Sequence, residues 1–204
     1  MFDLFLKGGP VMWPLLLLSI LVLGVVLDRL WFFFREKNLR NPQASELVWT
    51  LVEKHEFNSA AVEGLRSNDY VLRILAYALE HRNQGLANAL LQASNRELKR
   101  FSKGLVLLDT SITLAPFLGL LGTVVGLIRS FGLLGDDQLQ SPSVLTGGIA
   151  QALIATAFGL CIAIVALVPF NYLQAQVEEA RHEIEDNATQ LELALQKPGF
   201  FPPL

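Results

Sequence analysis

The stretch GGIAQALIATAFGLCIAIVALVPFNYL, residues 147–173, lies inside a run of 40 residues, Gln138 to Val177, without Asp, Glu, Lys or Arg. About 20 apolar residues cross the hydrocarbon of a bilayer as a helix, so this run reads as membrane-spanning. Two further uncharged runs precede it, 19 residues from Thr110 to Ile128 and the stretch from Gly8 to Leu27. Over all 204 residues the chain is 52% hydrophobic and 17% charged, against about a quarter charged in soluble domains, which argues against a water-soluble single domain. Disorder, a disulfide scaffold and nucleic-acid binding fit poorly too, with one cysteine, Cys161, inside an apolar run and a net charge of −3.

The expected fold is all-α, an integral membrane protein with three transmembrane helices, the second and third extended into the cytoplasm, plus a cytoplasmic helical domain. Its segments are an external N-terminal piece (1–10), a first span (11–34), the cytoplasmic domain (35–104), a second span (105–131), a short external link (132–146), a third span (147–171), a cytoplasmic helix (172–197) and a disordered tail (198–204). Trp13 and Trp31 stand 18 residues apart, about 27 Å of helix, matching aromatic belts at two interfaces. One lysine precedes the first span, no small-x-small site follows it, and it ends bulky at Leu30 to Phe34. It reads as a retained anchor, not a cleaved signal.

Charge asymmetry sets the orientation. Only Lys7 precedes the first span, whereas Arg29, Arg35, Lys37 and Arg40 cluster at its end, which puts the N-terminus outside. From Arg35 to Lys103 there are eleven Lys/Arg against eight Asp/Glu, so this loop is read as cytoplasmic, and the C-terminus with it. Within the loop, Leu47, Leu51 and Val52, then Val71, Leu72, Leu75 and Leu79, recur at helical spacing. Ala87, Leu91, Ser94, Leu98, Phe101, Leu105 and Leu108 follow a strict 4-3 spacing and predict one helix running straight into the membrane. Beyond Pro169 a second stripe, Leu173, Val177, Ala180, Ile184, Ala188, Leu191 and Leu195, continues the third span.

Each inner span has a small face. In the second, Ala115, Gly119, Gly122 and Gly126 form a smooth stripe with a GxxxG pair. Asp109, Thr113, Pro116 and Thr123 cluster around a direction about 110° away. The third span carries Gly148, Ala152, Ala155, Gly159, Ala163 and Ala166, with Gln151 and Thr156 at the two margins, and a greasy opposite side of Leu153, Leu160, Ile164 and Val168. The first span, bulky except at Ser19 and Gly24, is expected at the periphery. Two readings of these stripes stand, ordinary helix packing and a pathway, and Gln151 favours the second because a bare amide in hydrocarbon costs several kcal/mol. No acid, base or histidine lies deep in any span; Asp28, Arg29, Asp109 and Arg129 mark the edges. A proton relay then needs a carboxylate from a partner helix. An intramembrane enzyme fits poorly, since His55, His81 and His182 all lie outside the spans and no G-x-S-x-G occurs. No metal or cofactor is expected.

The segments KGGPVMWPLLLLSI (7–20), LDTSITLAPFLGLLGTVVGLIRSF (108–131) and GGIAQALIATAFGLCIAIVALVPFNYL (147–173) resemble the MotA/TolQ/ExbB proton-channel family, and the ExbB/TolQ branch most closely. The resemblance implies a homo-oligomer, a pentamer, in the bacterial inner membrane around an ExbD/TolR-like single-span partner that brings a membrane aspartate. Proton flow would then drive motion passed to a TonB- or TolA-like protein, and the external side would be the periplasm. By position, Thr123 and Thr156 look like pore-lining hydroxyls. Gln151 departs from the family, whose members commonly have glutamate here, and an amide cannot take up a proton at physiological pH. The expected ion-pathway lining is Thr123, Thr156, Gln151, Thr113 and Asp109, with Asp109 read equally as an ion collector or a surface salt bridge. A sodium-driven or flagellar-type relative and a non-conducting scaffold are the competing readings.

Overall fold

The computed structural model describes residues 5, 7–132 and 142–196. Among these, the chain forms α1 (Met12–Asn38), α2 (Pro42–Glu53), α3 (Phe57–Arg66), α4 (Tyr70–Glu80), a 3-10 turn (Arg82–Gln84), α5 (Leu86–Phe101), α6 (Leu105–Gly132) and α7 (Pro142–Gln196), and no strand. Three helices are long and apolar enough to cross a membrane: α1, α6 and the Thr146–Gln196 part of α7. The protein is an all-α membrane protein. The tail expected at 198–204, most of the 132–146 link and half of the 1–10 segment lie outside the described residues.

The chain divides into two compact units. One holds Met1–Arg29 with Gly104–Leu173, and the other Leu30–Lys103 with Gln174–Leu204. The membrane unit wears its apolar side chains outward. Trp13, Leu17, Ile20 and Leu23 on α1, and Leu153, Leu160, Ile164 and Val168 on α7, are all exposed, as surfaces facing lipid must be. The side of α1 turned inward is narrow: Val11, Met12 and Leu15 pack on Ala155, flanked by Leu118, Phe158 and Ile162. Gly24 has nothing within 4 Å of where a side chain would begin.

The second unit is a set of shorter helices, capped and packed on an apolar core. Asn41 caps α2, its Oδ1 accepting from the Ala44 amide at 3.1 Å, with Pro42 in the first turn where no donor is lost. Asp69 caps α4, accepting from the Val71 amide at 3.0 Å. The core holds Val48, Val52, Leu72, Leu75 and Leu79, so in α2 burial falls on Val48 and leaves the predicted Leu47 exposed. Along α7, Val177, Ala180, Ile184, Leu191 and Leu195 of this unit are buried, as is Leu173 of the first.

Side-chain charges close this unit. Glu36 at the end of α1 pairs with Arg100. Arg100 also holds Glu97 at 2.8 Å, and Glu97 holds Arg73 of α4 at 2.9 Å. A second cluster centres on Glu183 of α7, which accepts from Arg40 and from the Tyr70 hydroxyl, while Arg40 also meets Asp69 at 3.4 Å.

The helix predicted to run unbroken from Ala87 through Leu108 is two helices. The Ser102 amide bonds to the Leu98 carbonyl at 2.9 Å, ending α5, and Gly104, at φ +85°, accepts from the Leu108 amide at 3.1 Å to start α6. That left-handed backbone suits glycine, and a Cβ at Gly104 would also lie 3.0 Å from Val25 Cγ1. The face of α5 differs as well. Ala89, Leu90, Ala93 and Phe101 are buried while Ala87 and Leu91 of the predicted stripe are exposed, because the Arg73–Glu97 pair and the Tyr70–Phe101 ring contact turn the other side of α5 toward α4.

Burial pushes the Tyr70 hydroxyl up to about 12. Its folded pKa lies above the ordinary tyrosine value near 10, so this contribution to stability is complete below about pH 10 and is lost as the pH rises toward 12. Replacing Tyr70 with Phe should lower stability by about 1–2 kcal/mol at neutral pH through the lost bond to Glu183, and remove that share of the alkaline loss. Thermal unfolding in detergent across pH, with Tyr77→Phe as the control, checks both.

Candidate functional site

The two small stripes meet face to face. A Cβ added at Gly119 would come within 2.9 Å of Thr156 Cα, one at Gly122 within 2.4 Å of Ala155 Cβ, and one at Gly126 within 3.0 Å of Ala152 Cβ. From the other side, a Cβ at Gly159 would lie 2.5 Å from the Ala115 carbonyl oxygen. Ala115, Ala152, Ala155, Ala163 and Ala166 are buried along the same line. In lipid, helices associate through such close backbone approach and through interhelical hydrogen bonds. One of those bonds is here: the Thr156 hydroxyl donates to the Gly119 carbonyl at 3.0 Å.

Two residues lengthen the contact beyond the predicted stripe. Ser111 and Ser130 are buried at its ends, each hydroxyl donating to the carbonyl one turn earlier, at 2.7 and 2.9 Å. The signal was present in the sequence as a continuation of the same spacing, 111-115-119-122-126-130, with serine counted among the small residues.

This contact gives the helix pair two sides. At 100° per residue, Thr123 and Thr156 each stand roughly 60° from the contact line, and because the helices run antiparallel the two offsets fall on one side. Pro116, Asp109 and Thr113 turn the same way. Thr123 is half-buried, its hydroxyl donating to the Leu120 carbonyl at 2.7 Å, and Thr113 is exposed, donating to the Asp109 carbonyl at 3.1 Å. Asp109 is exposed at the end of this face.

Gln151 stands on the other side, with α1. Val11, just before α1, lies 3.6 Å from a Cβ placed at Gly122, and a Cβ at Gly9 would fall 1.9 Å from Gln151 Nε2. Thr123 and Thr156 therefore stand on one side of the helix pair and Gln151 on the other. The same side holds an apolar groove of about 390 Å³ between α1 and α7, lined by Met12, Leu15, Val22, Phe158, Ile162 and Val165; among the described residues Ser19, Cys161 and Met12 are its only polar or sulfur groups, and none is an acid or base. No group of three or more His, Cys, Asp or Glu placed to hold a metal occurs among the described residues.

The profile of the MotA/TolQ/ExbB proton channel family matches residues 58–186. The chain belongs to that family. Among its relatives, the putative biopolymer transport protein ExbB-like 1 of Synechocystis sp. is 36% identical over 208 residues, covering 98% of this chain and 81% of the relative. The Tol-Pal system protein TolQ of Pseudomonas aeruginosa is 39% identical over 95 residues, 47% of this chain and 41% of that protein. The biopolymer transport protein ExbB of Xanthomonas campestris pv. campestris is 35% identical over 112 residues, 52% of this chain and 44% of that one. These names put the chain in the ExbB/TolQ branch of the MotA/TolQ/ExbB family, a family of membrane proton channels that energise transport.

Since the α6–α7 contact has no room for side chains, Gly159→Ala, which aims a methyl group at a backbone carbonyl, should destabilise the chain by about 1–3 kcal/mol. Gly24→Ala, in open space, should not. Thermal melting of the detergent-solubilised chain distinguishes them, and equal midpoints would contradict the contact.

Proposed function

We propose that this chain is the channel subunit of an ExbB–ExbD-like motor. It assembles as a homopentamer in the bacterial inner membrane, N-terminus in the periplasm and C-terminus in the cytoplasm. With an ExbD/TolR-like single-span partner carrying a membrane aspartate, it uses the proton motive force to energise a TonB- or TolA-type periplasmic process.

The observation that carries this reading is the face bearing Thr113, Thr123 and Thr156. It is polar, leads toward Asp109 at one end, and has no titratable side chain deep in the membrane among the described residues. A surface of hydroxyl oxygens lowers the cost of bringing another helix's protonated carboxyl group into the bilayer without carrying a titrating group of its own. The chain's share of the work is then to solvate and orient, and the partner's share is to titrate. Glutamine at position 151 suits this division, because nothing at that position changes charge.

In proteoliposomes holding the chain with its partner, Thr156→Val should reduce ion flux to background while the assembled complex persists, and Thr156→Ser should retain flux. Normal flux through the valine variant would sink the assignment of this face. Flux that follows sodium at fixed pH would replace the proton by sodium, and no flux of either ion through the intact complex would favour a scaffold.

A further inference from the structure

Immediately before α1 the chain makes a tight turn. The Gly8 amide donates to the Phe5 carbonyl at 3.1 Å, the Met12 amide to the Gly9 carbonyl at 3.1 Å, and the Trp13 amide to the Pro10 carbonyl at 3.3 Å. Gly9 sits at φ +77°, a conformation that side chains on L-residues rarely adopt. The turn does not stand free. A Cβ at Gly9 would lie 1.9 Å from Gln151 Nε2 and 2.9 Å from its Cδ, so the amide of Gln151 rests against the Gly9 backbone. A Cβ at Gly8 would meet Met12 Cγ at 2.5 Å and Ile154 Cγ2 at 3.3 Å, one helical turn along α7. Val11 and Met12, the next residues, are buried on Ala155. The turn and the first residues of α1 thus lie along one edge of α7, from Gln151 to Ala155.

We propose that Gln151 is the seat of this N-terminal turn: its side chain docks the Gly8–Gly9–Pro10 backbone onto α7, and the turn in exchange covers one side of Gln151, which is half-buried. The chemistry suits the residue. A neutral amide lies against backbone without bringing a charge under the turn, as a carboxylate there would. The geometry also explains why Gly9 cannot carry a side chain on two independent grounds, its φ and the room taken by Gln151. The inference stands apart from the conduction reading, since it concerns the side of α7 opposite Thr156.

The test is hydrogen exchange of the turn in the full chain assembled in membranes. The Gly8, Met12 and Trp13 amides should exchange at least about tenfold faster in Gln151→Ala and in Gly9→Val than in the unaltered chain, while Gly24→Ala, in open space, should leave them unchanged. Exchange unaltered by Gln151→Ala overturns the proposal. A second measurement covers a variant that assembles poorly: Gln151→Ala should recover part of the thermal midpoint lost in Gly9→Ala, since it removes the colliding amide and leaves only the backbone strain. Purely additive losses would count against the seat.

Discussion

The close approach of α6 to α7, glycine against alanine with a carbonyl near contact, is the constraint on which the membrane unit depends. In water a pair of helices is held by burying apolar surface, but in lipid that drive is missing and the pair needs contact and hydrogen bonding instead. Gly119, Gly122 and Gly159 supply the contact, and the Thr156 bond to the Gly119 carbonyl supplies a cross-link between helices. Fixing that line fixes every other direction on the two helices. The side chains on one side of that line meet α1, and those on the other form the threonine face.

The two units satisfy their polar groups by different means, as their surroundings require. In the membrane unit the hydroxyls of Ser111, Thr113, Thr123, Ser130 and Thr156 all bond to backbone carbonyls, and none of these bonds joins two charged groups. In the other unit the bonds run from side chain to side chain, through Glu36, Arg100, Glu97 and Arg73, and through Tyr70, Arg40 and Glu183. Breaking one member of such a chain leaves a partly buried charge without its partner, which is costlier than losing the pair together.

Much of the fold was legible because hydropathy and spacing in lipid obey few rules. Three uncharged runs of sufficient length can only be spans, and a run of glycines and alanines at helical spacing identifies the side of a helix that approaches another backbone. The stripe from Leu173 to Leu195 was legible for the same reason, one face being apolar and the other acidic. Three things were not. The break at Ser102–Gly104 was hidden because the apolar spacing continues across it, and a single glycine does not announce a positive φ. The burial of Ala89, Leu90 and Ala93 instead of Ala87 and Leu91 was hidden because α5 has apolar residues on adjoining faces, and an ion pair with α4 decides between them. The placement of Gln151 was hidden because polarity marks a residue as needing company without saying whose. It stands with Thr156 at the margins of one stripe, yet opposite margins face opposite neighbours.

The hydroxyl bonds of the membrane helices also determine what the threonine face offers to a visitor. A carbonyl oxygen can only accept, so Thr113, Thr123 and Thr156 must each direct its hydrogen inward, to the carbonyls of Asp109, Leu120 and Gly119. What remains pointing away from the backbone is oxygen lone pairs. The surface is therefore of one electrical kind: it welcomes a hydrated cation, a hydronium or the O–H of a neutral carboxylic acid, and has no donor to give a bare carboxylate. An acid passing along it is better received with its proton than without.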